Sequence, residues 1–322
     1  MIKKAKSLLF PSRKNKDDQK KDTKVNDDAI EQFSGSDNEQ NDQLSPVKHN
    51  EPPLEELESL INLYSEGKFT KALSLINELL DQFPYSVDLY NVAGASNAGL
   101  KNFDASIRNY RQAIKINSDF ADAYNNIGNA FLGKGDLDEA IVNYKQAILI
   151  NPDYTEAYLN MGNALMDKGT LDEAIDNYKE AIRTNSNLAI TYYFIANALK
   201  IKGDLKNAIT NYKKAILLYP DYTEAYLNLG NILMDKGMLD EAIDNYKEAI
   251  KINPNYADAY NNMGNAFQVN GDLDKAIDNY KEAININPNY AEAYNNLGSA
   301  LRGKLELNDS IDNFKQAIKL KP

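Results

Sequence analysis

The residue types that most often do chemistry are scarce in this chain. It contains no cysteine and a single histidine, His49, set in a polar, proline-flanked stretch. No thiolate nucleophile, disulfide framework or thiolate metal site is therefore available, and any imidazole site would rest on one unsupported ring. The run GNAFLGKG from Gly128 has the outline of a phosphate-binding loop. Gly135 stands where that motif needs Ser or Thr, however, and the run ends a helical pattern rather than linking strand to helix. Paired acids such as Asp136 with Asp138 and Asp272 with Asp274 suggest Ca²⁺, but no complete loop with a closing Glu follows, so they read as helix-start charges. No metal, cofactor or catalytic set is implied. What remains is amides and carboxylates in rows. Asn126, Asn160, Asn228, Asn262 and Asn296 keep one register, Asn129, Asn163, Asn197, Asn231 and Asn265 a second, and Asp122, Glu156, Glu224, Asp258 and Glu292 precede the first row by one helical turn. An amide offers two donors and an acceptor with two lone pairs, so a row of them can hydrogen-bond a peptide backbone whatever its side chains are.

The rows exist because the chain repeats. Residues 121–154, ADAYNNIGNAFLGKGDLDEAIVNYKQAILINPDY, return in kind every 34 residues, with the glycine at Gly128, Gly162, Gly230, Gly264 and Gly298 and the alanine at Ala140, Ala174, Ala208, Ala242 and Ala276. A fixed period of this length is the mark of a solenoid. Inside the unit, Tyr124, Ile127 and Phe131, then Ile141, Tyr144 and Ile148, recur at three-to-four spacing, which predicts two amphipathic helices joined by a turn. Gly135 suits a left-handed cap, and Asp136 with Glu139, like Thr170 with Glu173, has the spacing of a capping box. Asn151-Pro152 ends the second helix. The small Gly128 and Ala140 mark close helix contact, with Tyr124 and Tyr144 filling the space beside them.

Charge divides the chain further. Residues 1–24 hold nine basic against three acidic residues, net +6; residues 25–52 hold one against seven, net −6; the rest supplies −11. The apolar run SLLF is only four residues long and stops at Pro11, far short of a signal peptide or membrane span. The expectation is a protein that is not secreted, cytoplasmic, with a flexible leader over 1–52 whose basic end touches an anionic membrane weakly or simply stays solvated. The array occupies 53–322 in units of 53–86, 87–120, 121–154, 155–188, 189–222, 223–256, 257–290 and 291–322. The first is atypical in its first half. The acidic array repels phosphate backbones, which makes nucleic acid a poor partner and polar or basic polypeptide a better one.

Tyr124, Ile127, Gly128, Ala140, Tyr144, Ala147 and Pro152, renewed over residues 53–322, resemble the signature of the tetratricopeptide repeat family. Departures are Ser186 for Pro, Ala196 for Gly and Ser310 for Ala. The resemblance implies an all-α, right-handed superhelical solenoid whose concave groove is lined by the first helix of each pair and binds extended peptide or protein. It places both asparagine rows and the acid row on that groove. One amide row could instead satisfy only neighbouring helix groups. Family members that clamp acidic chaperone tails carry Lys at the acid row, so this chain should reject such tails. Ile190 and Phe194 interrupt the rows in the unit from Ala189, either as an apolar anchor for a partner side chain or as drift in one copy.

Two function classes follow. The first is a non-enzymatic scaffold binding peptide or protein. The second is the substrate-recognition part of a larger glycosyltransferase, since a similar asparagine row lies in the repeat superhelix of O-linked N-acetylglucosamine transferases. Ile311, Phe314 and Ile318 on the last helix would also allow self-association.

Overall fold

A computed structural model of the chain describes residues 51–321. The leader's two charged halves up to residue 50, with its flexibility and membrane contact, His49 and Pro322 all lie outside the described residues. Sixteen α-helices and no strand are found among the described residues. The first compact unit, ending at Pro152, holds α1 (Leu54–Ser65), α2 (Phe69–Gln82), α3 (Val87–Gly99), α4 (Phe103–Ile116), α5 (Ala121–Lys134) and α6 (Leu137–Ile150). The second, from Asp153, holds α7 (Thr155–Lys168), α8 (Leu171–Thr184), α9 (Ala189–Ile201), α10 (Leu205–Leu218), α11 (Thr223–Asp235), α12 (Leu239–Ile252), α13 (Ala257–Val269), α14 (Leu273–Ile286), α15 (Ala291–Gly303) and α16 (Leu307–Leu320). Within each unit every first helix packs on its own second helix and that second helix on the next first helix. This is the all-α solenoid that the period predicts. None of the described helices is long and apolar enough to cross a membrane.

The pair α5–α6 shows why this sequence builds the repeat. α5 buries Ala123, Ile127, Ala130 and Phe131, while α6 buries Ala140, Ile141, Tyr144 and Ala147. Gly135 closes α5 at φ 84° and ψ 6°, and the next N–H, of Asp136, reaches back to the Phe131 carbonyl at 3.0 Å. That left-handed bend reverses the chain within two residues. In α3–α4 and α15–α16 the same bend falls on Lys101 (φ 59°) and Leu305 (φ 64°), where a Cβ crowds the backbone at about 1 kcal/mol each. Asn151 is extended at φ −127° after α6, ahead of Pro152. Ser186 in the proline's place leaves the end of α8 in the same register. On α16, Ile311 and Ile318 are exposed and Phe314 is half-buried.

The two capping boxes do not form. Neither Asp136 nor Thr170 caps its helix through the side chain, and the Thr170 hydroxyl donates instead to the Leu165 carbonyl at 3.2 Å. Asp204 and Asp272 do cap, each accepting the third backbone N–H of the helix at 3.2 Å. The difference lies three residues on. Asn207 donates to Asp204 at 2.7 Å and Lys275 pairs with Asp272 at 2.7 Å, whereas Asp136 faces Glu139 at that spacing. A carboxylate cap is therefore helped by a donor at that position and repelled by a second acid.

Gly128 explains the closeness of the pair. A Cβ built there would lie 2.5 Å from the Tyr144 ring, and one at Gly264 would lie 2.6 Å from Tyr280. Ala196 occupies the equivalent position of α9 fully buried, so a single methyl can be absorbed by a small ring shift. The expected outcome is that Gly128→Val destabilises by about 3 kcal/mol or more through overpacking, whereas Gly128→Ala costs under about 1.5 kcal/mol. Thermal unfolding of the two variants, read by circular dichroism, checks this; equal melting temperatures would refute the packing. Leu305→Gly should in turn stabilise by about 1 kcal/mol by relieving the left-handed Cβ, and an unchanged or lower melting temperature would count against that strain.

Candidate functional site

The second asparagine row is anchored from below. In the second unit Asn163, Asn197, Asn231 and Asn265 each accept, through Oδ1, the phenol hydroxyl of the second helix of their own pair. Tyr178, Tyr212, Tyr246 and Tyr280 donate at 2.8, 2.5, 2.9 and 2.8 Å. In the first unit Asn129 accepts from Tyr144 at 2.8 Å. These five rings are almost wholly buried, and a buried hydroxyl without a partner costs about 1–3 kcal/mol. The row thus answers a need of the core first. Its Oδ1 atoms point inward, and the Nδ2 groups of Asn163, Asn197, Asn231 and Asn265 make no bond to protein atoms among the described residues.

The first row lies across the seam between repeats. Asn262 Nδ2 donates to Asn231 Oδ1 at 2.9 Å, and Asn296 Nδ2 donates to Asn265 Oδ1 at 3.1 Å and to Asn261 Oδ1 at 3.0 Å. Tyrosine, second-row amide and first-row amide therefore form a chain that crosses from one pair to the next. Asn228 departs: its Nδ2 donates to the Tyr193 hydroxyl at 3.1 Å, and its Oδ1 receives Lys200 Nζ at 3.4 Å. Asn160 is half-buried on α7, and Asn126 is half-buried on α5 in the first unit. Asn231, Asn262 and Asn265 line one cleft of about 280 Å³ with Met234, Asp235 and Tyr246. In the second unit the structure thus joins Asn262 to Asn231 and Asn296 to Asn265 as one surface of half-accessible amides.

The acids stand beside a row of phenols that the repeat pattern alone did not single out. Tyr222, Tyr256 and Tyr290 precede α11, α13 and α15 and are half-buried. Burial, then Asp258 and Glu224, pushes the Tyr256 phenol up to about 12. Burial and then Asp258 raise Tyr290, and burial, Tyr193 and Glu224 raise Tyr222. Glu156, Glu224, Asp258 and Glu292 are exposed, and Glu224, Asp258 and Glu292 have no Lys or Arg partner among the described residues. In the first unit Asp122 is half-buried. Phe194 does not stand free: its ring lies 5.6 Å from Tyr178 and 5.9 Å from Tyr193, which itself packs 4.8 Å from Tyr222. Ile190, on the same helix, is 42% exposed.

Two features escaped the reading of the sequence. Asn91, Asn125 and Asn261 are buried one residue ahead of the first-row register, where Leu227 and Tyr193 stand in other repeats. The tyrosine-to-amide bond was the other. Its signal is present in the chain: Asn and Tyr keep a spacing of fifteen in five repeats, and where Phe314 lacks the hydroxyl, Ser299 replaces the asparagine.

The buried phenols give this site a pH signature. Burial raises Tyr178, Tyr212, Tyr246 and Tyr280 above the ordinary tyrosine value. In the unfolded chain they ionise near about pH 10, so above that pH the unfolded state has lost protons that the folded state keeps, and stability falls as pH rises toward the folded values. A titration followed at 295 nm should show the buried tyrosines ionising only well above the ordinary tyrosine value, together with loss of helical circular dichroism. A single step near pH 10 with helix intact would disprove the burial.

Models described as TPR repeat match residues 100–135, 128–169, 162–201, 196–237, 230–271 and 269–304, and one described as tetratricopeptide repeat matches 291–322. Among solved structures the chain is similar to YrrB, a TPR protein with an unusual peptide-binding site (27% identity over 61% of this chain and 97% of that one, TM-score 0.50). It is similar also to MamA (30% identity, 54% and 96% covered, TM-score 0.50). The C-terminal part of a TPR repeat-containing protein from Cytophaga hutchinsonii shares the fold at 18% identity, with 75% and 99% covered and a TM-score of 0.63. No curated protein matches. With residues 100–322 matched in this way, the chain belongs to the tetratricopeptide repeat family.

Proposed function

We propose that this protein is a non-catalytic scaffold that binds extended polypeptide, polar to basic in character, across the first helices of its repeats. The observation that carries the reading is the fused amide surface. The Nδ2 groups of Asn231 and Asn265 have hydrogens to give, Asn296 Oδ1 has lone pairs to offer, and the same set returns one repeat later. A peptide backbone presents both donors and acceptors at regular intervals, so it complements such a surface independently of its side chains. Glu224, Asp258 and Glu292, exposed at the same period, favour Lys and Arg on the incoming chain and disfavour acidic tails. Similarity to YrrB, described by its peptide-binding site, supports the same reading.

Two sets of variants test it. Asn228→Ala, Asn262→Ala and Asn296→Ala together should weaken a lysine-rich test peptide at least about tenfold, each lost bond contributing about 0.5–1.5 kcal/mol. Because these amides also stitch adjacent first helices, the melting temperature should fall modestly as well. Glu224→Lys, Asp258→Lys and Glu292→Lys should keep the helical fold, with a small fall in melting temperature from losing the bonds of Asp258 to Tyr290 and Glu292 to Asn261, and reverse the preference toward acidic peptides, with a contrast that shrinks as salt rises. Unaltered binding in both sets, measured by fluorescence anisotropy, would show that this face is not where the protein works.

A further inference from the structure

We infer that the unit from Ala189 selects for one large apolar side chain, leucine or phenylalanine, carried by an extended peptide with Lys or Arg on either side of it. The assignment rests on the peptide-binding reading above and narrows its class of guest. Among the six units from Ala121 onward, only this one replaces both the acid and the first-row amide by apolar residues, Ile190 and Phe194. Four residues apart on α9, they share one face of the helix. Ile190 is exposed at its first turn, and Phe194 is half-buried behind it.

The floor beneath them is an aromatic cluster drawn from three successive pairs of the second unit. Phe194 lies 5.6 Å from the Tyr178 ring of α8 and 5.9 Å from Tyr193. Tyr193 in turn lies 5.9 Å from Tyr212 of α10 and 4.8 Å from Tyr222, which precedes α11. Its hydroxyl accepts Asn228 Nδ2 at 3.1 Å, so the ring is held at its polar end as well. Rings fixed on several sides have little freedom left to lose when a guest arrives, and contact with them turns into affinity more fully than contact with a mobile side chain. Their faces and edges suit a leucine or another aromatic ring rather than a polar group.

The charges on the same face decide what must stand beside that apolar side chain. Glu156 on α7 and Glu224 on α11 are exposed at the position that Ile190 holds on α9. Acid, apolar residue and acid therefore succeed one another along three first helices, and the complementary guest carries a basic residue, an apolar one and a basic one in that order. Lys200, six residues after Phe194, donates to Asn228 Oδ1 at 3.4 Å and has no Asp or Glu partner among the described residues. Its charge repels Lys and Arg from the far end of α9, so the guest crosses that helix at its first turns, over Ile190 and Phe194.

The test uses the full-length chain and two fluorescein-labelled peptides of lysine and serine, identical but for a central residue that is leucine in one and serine in the other. By fluorescence anisotropy the parent should bind the leucine peptide at least about tenfold more tightly. Ile190→Glu with Phe194→Asn gives α9 the residues that α7 and α11 already carry at these positions, so the fold should be kept. This double variant should bind both peptides alike. Ile190→Ser, a change at an exposed residue, should on its own lower the preference several-fold. Glu224→Lys should weaken both peptides by a similar factor and leave the preference in place, since it removes only charge attraction. Equal binding of the two peptides by the parent would overturn the apolar seat and leave the peptide-binding reading standing. A preference that survives Ile190→Glu with Phe194→Asn would overturn it too, by placing the apolar contact elsewhere. Binding of neither peptide by the parent would overturn both readings. Dimers of the parent that sedimentation detects and the same double variant dissolves would show that a second copy covers the patch, contrary to the proposal.

Discussion

The repeat depends on how one tyrosine is accommodated. In each of four pairs of the second unit a phenol ring fills the second helix's side of the core, as Tyr178 and Tyr280 do opposite Gly162 and Gly264. A ring in that place is favourable only if its hydroxyl finds an acceptor, and the nearest polar group on the facing helix is the amide one residue after the glycine. Glycine, tyrosine and asparagine are therefore one device. The glycine admits the ring, the ring excludes water, and the asparagine satisfies the hydroxyl. Core packing thereby determines which way the amide points, and the orientation left over determines what the surface can offer a partner.

The fold was legible in the sequence because a packed helix pair repeats its constraints. The period of 34, the left-handed bend at Gly135 and the close approach at Gly128 all follow from residue type and spacing. The chemistry of the face was legible only in part. Both amide rows lie on the first helices of their pairs, but nothing in their spacing tells that Asn296 reaches Asn265 from the next pair while Tyr280 holds it from within its own. Hydrogen bonds across thirty-one residues depend on how successive pairs stack, which periodicity does not encode. The same limit explains the capping boxes. A pattern of spacing treats Asp136 with Glu139 as a reciprocal cap, whereas like charge opposes it and a donor such as Asn207 supports it. The pairing of Ser299 with Phe314 was the available clue that the amide serves the phenol, and it required comparing repeats with one another rather than reading each alone.

The unit from Ala189 departs from its neighbours in several linked ways. Its second helix, α10, has lysines where α8 and α12 have acids, its first helix replaces the amide by Phe194, and Tyr193 gathers Tyr212, Tyr222 and Phe194 into one aromatic cluster. Tyr193 also takes the hydrogen bond that Asn228 would otherwise direct to the second row. Substituting one apolar position thus reroutes the amide of the following repeat, so the change is felt beyond the repeat that carries it.

That odd unit lies between two nearly identical ones, 155–188 and 223–256, which share TEAYLN and LDEAIDNYKEAI. A surface of evenly spaced, interchangeable amides cannot by itself tell a bound chain where to stop. Sliding the chain by a whole number of steps would preserve every backbone hydrogen bond. If the chain binds as proposed, a single position with a different chemistry removes that translational degeneracy, because only one alignment sets an apolar side chain against Ile190 and Phe194. The irregular repeat therefore gives an otherwise uniform array an origin.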